Sequence, residues 1–485
     1  SCLSGYLKKH DHKVYLLFDH LFFNKSYFRN EKIKKLFSIE GEFINKIKEI
    51  QPDLIGFSVV TANYQWALEK ARLFKKHFNI PIIFGGPHPT IVPQDVISNS
   101  QVDMVAIGEA EESLLELADS DFKRKDTRGI WFKHNGKIFK NPIMPLEQNL
   151  DKYPFPDDNL FYEQLPPSYR LTPTVMTSRG CPFSCTYCGN QTMQKLYKGA
   201  GDFHWVRQRS VANVISELLW RKGQHGSKHF IFMDDIFSSK LEWLREFVQQ
   251  YKDKIRLPFN CLSHPNIVQE ETIKLLKEAG CILIDFGLQT GCPKIRKEVL
   301  NRNEDNDKVV KITQFCKKYK LNFAVDCILN IPFDNEQTIK ESIIFYNSIR
   351  PNIINCFKLL YFPGTKIIEI AKKAGIINEK DEEMIVKGQR NRYASMGINN
   401  DKTLDDYQKY AFLLTAMPLL PKKLVEKIIN NNKLFAITGN FPSCLLVFIK
   451  VAVQLKAGFG FIFFNVIKNE IFYLKQYSKN KKVLL

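Results

Sequence analysis

Long apolar runs are missing from this 485-residue sequence. No charge-free stretch reaches the roughly 18 residues that a spanning helix needs. The nearest, Leu434–Phe448, is interrupted by Gly439, Asn440 and Pro442 and followed by Lys450. A signal peptide is also lacking, and the chain opens at Ser1 in mid-element, as a fragment would. Acidic residues are short: 51 Asp and Glu stand against 70 Lys and Arg, a formal net charge of +19. That surplus favours anionic partners, or follows from the Lys-, Asn- and Ile-rich bias of the whole chain, and it is silent on fold. Disulfide spacing is absent too. Most of the eleven cysteines stand singly inside strand or helix patterns. This points to a reducing, cytoplasmic setting and excludes a disulfide-built scaffold.

What is present suffices for a folded protein of about three domains at roughly 150 residues each, since 44% of the residues are hydrophobic and wholesale disorder is excluded. Over residues 1–125, short apolar runs at Lys13–Phe18, Leu54–Val59, Ile80–Phe84 and Met104–Ile107 predict buried parallel strands. Between the second and third, Trp66, Ala67, Ala71 and Phe74 repeat at helical spacing within Ala62–Phe78. The pattern is that of a doubly wound α/β domain, which takes ligands at the carboxyl ends of its strands. Residues 126–170 form a connecting region, with a hairpin turning at Asn135-Gly136 and a proline-stiffened Tyr153-Pro-Phe-Pro-Asp157.

A second alternation fills residues 171–375. Six strands are expected, at Thr174–Thr177, His229–Met233, Pro258–Leu262, Ile282–Phe286, Phe323–Leu329 and Asn355–Leu360, with helices such as Val211–Arg221 and Leu241–Tyr251 between them. Six β-α units suggest a partial (β/α)6, TIM-like barrel with its site at the strands' C-terminal ends. Residues 376–485 read as mostly helical and carry no chemical motif. No internal repeat is evident.

Directly after the first barrel strand stands Gly180-Cys181-Pro-Phe-Ser-Cys185-Thr-Tyr-Cys188-Gly189. Three thiolates spaced C-x3-C-x2-C on one loop can converge on one metal centre, and thiolates are the ligands of iron–sulfur clusters. A four-iron cluster held by three cysteines keeps one iron free for a small molecule. Three core cysteines are disfavoured by the Gly/Pro-flanked loop, and zinc by its usual four ligands in pairwise spacing.

With Tyr187 before the last cysteine, the loop resembles the signature of the radical S-adenosylmethionine (SAM) superfamily. The resemblance implies a [4Fe-4S] cluster on Cys181, Cys185 and Cys188. Its free iron chelates SAM, and reductive cleavage releases a 5′-deoxyadenosyl radical in a closed cavity. It implies that Tyr187 lies near the adenine, and that Asp234 and Asp235, at the end of the second strand, hold the amino end of SAM; both could equally cap the following helix. Leu300-Asn301-Arg302 and Tyr361-Phe-Pro-Gly-Thr365 match further family stretches. Two positions depart from the pattern. Gln289 stands where related sequences usually carry Glu, and His264 stands where an Arg before Pro is common. Both weaken charge-assisted contacts to a zwitterion.

The front domain resembles the flavodoxin-like (Rossmann-type) cobalamin-binding domain of one branch of that superfamily. The matching stretches are Pro52–Ser58, Gly85-Gly-Pro-His-Pro-Thr90 and Ile107-Gly-Glu-Ala-Glu111, with 26 residues between Ser58 and Gly85. Gly85 and Gly86 would let the backbone approach a large ring or nucleotide tail, with Ser58 and Thr61 hydrogen-bonding the tail. An ordinary flavodoxin-like domain with turn glycines is the competing reading. His88 is common in such domains without coordinating cobalt, and the Asp-x-His-x-x-Gly motif of some cobalamin proteins is absent.

In sum the resemblance implies an α/β enzyme using a [4Fe-4S] cluster, SAM and cobalamin. Its commonest chemistry would be methyl transfer to an unactivated carbon of a small-molecule or lipid-like substrate, with electrons from a donor such as flavodoxin or ferredoxin. An anaerobic oxidative cyclase and a degenerate, non-catalytic cobalamin-binding protein are the alternatives. Transfer-RNA methylthiolation would use the positive charge, but enzymes of that type carry additional front-domain cysteines and only Cys2 precedes Cys181, so a nucleic-acid partner is not expected. No catalytic acid, base or nucleophile stands out. The Phe/Ile/Val/Leu-rich segment Phe441–Leu474, punctuated by lysines, suits helices capping the barrel, or amphipathic helices resting on an anionic membrane surface. The Lys479–Lys482 tail is a solvated end.

Overall fold

The computed structural model describes residues 2–19, 40–201, 203–237, 239–389, 404–431, 433, 435, 443–460 and 468–469. The front sheet is β1 (Ile55–Ser58), β2 (Ile82–Gly85), β3 (Met104–Ala106), β4 (Ile130–His134) and β5 (Lys137–Lys140), in that spatial order. β1, β2 and β3 are parallel, as their apolar runs require, and the hairpin β4–β5 extends the sheet antiparallel through β3. Asn135 and Gly136 both take positive φ at its turn, at 48° and 75°, the type I′ geometry that suits this pair. Helix Tyr64–His77 buries Ala67, Ala71 and Phe74 against Phe57, Phe84 and Val105.

One expected strand does not form. Residues 12–19 carry no strand hydrogen bonding and follow helix Cys2–Lys9 as an irregular segment. The run Lys13–Phe18 is apolar enough for a strand, but its side chains are only half buried and Leu16 offers its carbonyl to the Gln164 amide instead. The Pro-rich connection is anchored by that first helix: the Ser4 hydroxyl and the Lys8 ammonium both bind Asp157, at 2.5 and 2.7 Å.

The second sheet contains β6 (Thr174–Val175), β9 (Phe230–Phe232), β10 (Phe259–Ser263), β11 (Cys281–Gln289), β12 (Asn322–Leu329) and β13 (Ile353–Lys358). A small antiparallel pair, β7 (Ser178–Arg179) and β8 (Arg207–Gln208), lies between the first two in the chain. The six run parallel in the order β13-β12-β11-β10-β9-β6, a partial barrel as the six expected strands implied. Alternate residues (Phe232, Phe259, Ile284, Phe286, Val325 and Ile354 among them) face outward into the core formed with the surrounding helices. Helix Val211–His225 starts where Ser210 Oγ accepts from Asn213 N and ends at the left-handed Gly226, the N- and C-terminal signals that such a helix needs.

Beyond the barrel, Leu413, Leu414, Met417, Val425 and Ile429 join the same core, so these C-terminal helices pack on the barrel. After helix Ser443–Lys456, Ala457 and Phe459 contact Leu283 and Ala324 at the bottom of the strands. Helix Glu379–Val386 returns to the front domain, where the Gln65 amide donates to Lys387 O. No helix among the described residues is long and apolar enough to cross a membrane. Much of Phe441–Leu474 and the whole of Lys479–Lys482 lie outside the described residues.

Candidate active site

The cysteine loop leaves β7 through Gly180, whose φ is +90° and where a Cβ would sit 2.3 Å from Trp205 O. Only glycine passes this point without displacing backbone. Cys181 and Cys188 are part-exposed and Cys185 is buried, all three as free thiols. Cys188 stands at the N-cap position of helix Gly189–Leu196, without a capping hydrogen bond from its side chain, at the positive end of that helix. Thr186 fastens the loop from below: its hydroxyl donates to Val299 O at 2.7 Å, its N–H donates to Leu300 O, and its carbonyl accepts from Ile367 N. Asn301 donates to both the carbonyl and the hydroxyl of Ser184, at 2.9 and 3.0 Å. Leu300–Arg302 therefore forms its bed, while Tyr361–Thr365 lies beside it: Tyr361 belongs to the cluster that Tyr187 packs on, and Gly364 O accepts from the Thr192 hydroxyl at 2.9 Å.

Arg302 is buried at the centre. One guanidinium nitrogen lies 3.5 Å from Cys185 Sγ and 3.4 Å from the Tyr187 hydroxyl; the others reach Gly287 O and Glu304, the latter at 2.6 Å. His264 stacks on Phe183 of the loop, with centroids 3.7 Å apart. Its Nε2 and Glu304 Oε2 are buried without hydrogen-bond partners, 3.8 Å apart. Burial, with the positive charges of Arg302 and Lys308, pushes His264 down to about 2, so this substituent for the family's usual Arg is neutral.

The two neighbouring aspartates separate. Asp234 is fully buried; its Oδ1 accepts from Thr177 N, the Thr177 hydroxyl and the Ser178 hydroxyl at 2.8, 2.9 and 2.5 Å. It ties the second strand to the start of the cysteine loop. Asp235 is exposed, receives Asn190 Nδ2 at 2.9 Å, and lies close enough to Cys181 and Cys188 to disfavour their ionisation. Gln289 ends β11 in a left-handed conformation, φ 68°, beyond a register shift at Gly287. Tyr187 is half-buried in an apolar cluster with Ile328, Leu359 and Tyr361.

At the front domain's strand ends, Ser58 is exposed but Thr61 is buried, and its hydroxyl meets His88 Nδ1 at 3.1 Å. Gly86 has φ +104°, and a Cβ there would lie 2.7 Å from Val59 O. Packing inside the domain thus explains Gly86 without a ligand. Gly85 differs: a Cβ would touch only Ala106 Cβ, at 3.4 Å. His88 is 1% exposed, lies 4.2 Å from the Tyr64 ring, and is pushed by burial down to about 4. It is a neutral core histidine. His88→Gln is expected to leave the visible spectrum of bound cobalamin unchanged. It should also reduce acid sensitivity: between pH 4 and 6.5 the unfolded chain binds a proton at His88 that the folded chain refuses, so stability falls as pH falls. Melts at pH 7 and pH 5 measure this.

Sequence reasoning missed the residues that join the two lobes. Arg179, two positions before Cys181, binds Glu109 and Glu111, each at 2.7 Å. Arg207, on the paired strand, binds Glu109 and donates to Glu147 O at 2.8 Å. The Tyr197 hydroxyl accepts from Glu109 N at 2.9 Å. Burial alone would raise the Glu109 carboxyl, but the hydrogen bond from Arg207 and the charges of both arginines hold it below the ordinary carboxylate range. Helix Gly189–Leu196, just after the cysteines, packs on the short helix Pro87–Ile91 that follows Gly85-Gly86. The Gly-Glu-Ala-Glu stretch thus grips the strand that carries the cysteine loop.

A profile of the radical SAM superfamily matches residues 175–345, and one of the B12 binding domain matches residues 1–118. The chain is a radical SAM protein with a B12-binding domain in front. Among curated proteins it is 28% identical over 337 residues to an uncharacterised methyltransferase, PH0819, of Pyrococcus horikoshii, covering 67% of this chain and 70% of that protein. It is 21% identical over 428 residues to an anaerobic magnesium-protoporphyrin IX monomethyl ester cyclase of Cereibacter sphaeroides, covering 84% and 66%. In fold it is similar to the radical SAM methyltransferase TsrM of Kitasatospora setae, solved with cobalamin and a [4Fe-4S] cluster, at TM-score 0.61 and 18% identity over 77% of this chain and 74% of that one.

The donor set of this radical SAM protein fits a polynuclear cluster. Three free thiols stand on one loop, and the Arg302 guanidinium, 3.5 Å from Cys185 Sγ, would offset negative charge there, which suits the sulfur donors that iron–sulfur clusters use. Burial pushes the Cys181 thiol up to about 12 and raises Cys188. Unligated, these sulfurs stay protonated, and iron binding would release their protons. Bound there, a [4Fe-4S] cluster with SAM supplies one-electron cleavage of a sulfonium, and cobalamin supplies a carrier for a methyl group.

Proposed function

We propose that this protein transfers a methyl group from SAM to an unactivated carbon of a small-molecule or lipid-like substrate, with electrons from a flavodoxin- or ferredoxin-type donor. The observation that carries this reading is the junction of the lobes. Glu109 and Glu111 hold Arg179, and helix Pro87–Ile91 meets helix Gly189–Leu196, so the B12-type strand ends and the cysteine loop border one space. Cys181, Cys185 and Cys188 hold the cluster. The exposed Asp235 receives the ammonium of SAM, while Asp234 braces the loop. Arg302 offers a buried positive charge to the carboxylate of SAM, Tyr187 borders the adenine, and Gln289 stands at the rim as a neutral donor and acceptor. Ser58 and the open face of Gly85 border the cobalamin tail. Thr61 and Gly86 support them from inside the domain.

The 84% coverage of this chain by the cyclase comparison supports oxidative ring closure as a second reading. Anaerobic reconstitution followed by an assay with methyl-labelled SAM separates the two. Label in the product supports methyl transfer, whereas substrate consumed without label supports cyclisation. If no 5′-deoxyadenosine forms even with a strong reductant, both readings are wrong.

A further inference from the structure

Helix Ser443–Lys456 packs its inner face on helix Leu404–Ala416 and the turn Met417–Leu419, with Val453 buried, and the chain then carries Ala457 and Phe459 to the bottom of the strands. The outer face of a helix that meets only water is normally polar. Here Val447, Phe448 and Leu455 are 58%, 69% and 52% exposed, with the half-buried Val451 among them. At 3.6 residues per turn these four lie within about 100° of the helix circumference, a single apolar stripe roughly two turns long. Gln454, Lys450 and Lys456 stand on its flanks, the lysines about 120° to either side of its centre. The helix carries no acidic side chain.

An outward apolar stripe of this kind calls for a cover, and charge decides which. Residues 417–485 hold eleven lysines against two glutamates, with no arginine or aspartate. Lys422 and Lys423 are exposed just beyond Pro418, whose carbonyl accepts from Lys456 Nζ at 2.7 Å. A second copy would bring one lysine-flanked stripe against another. The residues after Gly460 carry the same sign, five lysines against one glutamate. Like charges oppose both of these covers. An anionic lipid surface answers both features at once. Acyl chains take the stripe, while lysine stems lie along it and carry their ammonium groups to the headgroup level. With 14 residues the helix is too short to span a bilayer, so it would lie in the plane of the interface.

We propose that helix Ser443–Lys456 docks this protein on an anionic membrane surface, with Val447, Phe448, Val451 and Leu455 entering the acyl boundary and the flanking lysines meeting the headgroups. The proposal does not rest on the chemistry of the cysteine loop: the helix leads to the bottom of the barrel, and the loop stands at the other end of the strands.

The test is flotation of the full chain with vesicles of phosphatidylcholine, alone or with about one-third phosphatidylglycerol. Bound protein should rise at least about tenfold on the anionic vesicles. Phe448→Ser and Leu455→Ser leave the net charge unchanged, and each should cut that binding at least about fivefold. Both side chains are exposed, so each variant should keep the wild-type Tm and the wild-type SAM cleavage in the absence of vesicles. Where one variant fails to fold, the other carries the test. A monomer that floats with the anionic vesicles and loses them in the serine variants supports the proposal. No binding to anionic vesicles overturns it. So does undiminished binding by both serine variants, which would be adhesion of a +19 chain through charge alone. A wild-type dimer in light scattering that Phe448→Ser converts to a monomer overturns it too, because a second copy then covers the stripe. If docking holds while SAM cleavage fails, the membrane surface stands and the radical chemistry falls.

Discussion

Cys181→Ser, Cys185→Ser and Cys188→Ser are each expected to reduce SAM cleavage by at least about a hundredfold and to lose most of the bound iron. The physical reason is a shortage of ligands. The loop supplies three sulfurs for four iron corners, and serine is a poor, harder donor whose proton leaves less readily than that of a thiol. Of the three, Cys185 should be the most damaging to the fold of the loop, because it is buried beside Arg302 and its loss leaves that guanidinium one contact short. Iron and sulfide analysis after anaerobic reconstitution and desalting, with quantified 5′-deoxyadenosine, checks the outcome. A variant that keeps a full complement of iron and wild-type turnover would show that the loop is not the ligand set.

Arg207→Leu is expected to lower the stability of the whole chain by about 3 kcal/mol, the lower part of the range for breaking a buried ion pair. The lower part applies because Glu109 is a quarter exposed and retains Arg179. Function should suffer unevenly. The grip of Glu109 on the strand before Cys181 aligns the two lobes, so methylated product should fall further than unproductive SAM cleavage, which needs the barrel alone. Denaturant unfolding gives the first number, and the ratio of methylated product to 5′-deoxyadenosine gives the second. An unchanged ratio in a destabilised variant would mean that the clamp serves stability and not alignment.

Much of the architecture was legible because it is written locally. Apolar runs of strand length, the helical spacing of Ala67, Ala71 and Phe74, and the Asn135-Gly136 turn all depend on residues close in sequence. Three cysteines and a tyrosine inside eight positions likewise announced their loop. What escaped depends on partners far along the chain. Glu109 and Glu111 looked like part of a cobalamin signature, yet their ion pairs reach Arg179 and Arg207, 68 to 98 residues away. The only local hint was a pair of arginines flanking the cysteine segment. Asp234 and Asp235 are chemically identical in the sequence; just past the end of β9, Thr177 and Ser178 hold one inward and the other is left exposed. Gly86 was credited to an approaching ring, whereas the nearby Val59 carbonyl already forbids a side chain there. The Lys13–Phe18 run had strand composition but found no strand to pair with.

The contact between Gln65 and the Lys387 carbonyl links the region behind the barrel back to the lobe in front of it, while the glutamate–arginine clamp joins the same two bodies elsewhere. Two bridges at separate places make a closed ring of contacts rather than a string of beads. Loosening any one piece then strains both neighbours, and heat should dismantle the assembly in one endotherm rather than in successive steps. Differential scanning calorimetry that resolves two well-separated peaks would open that ring.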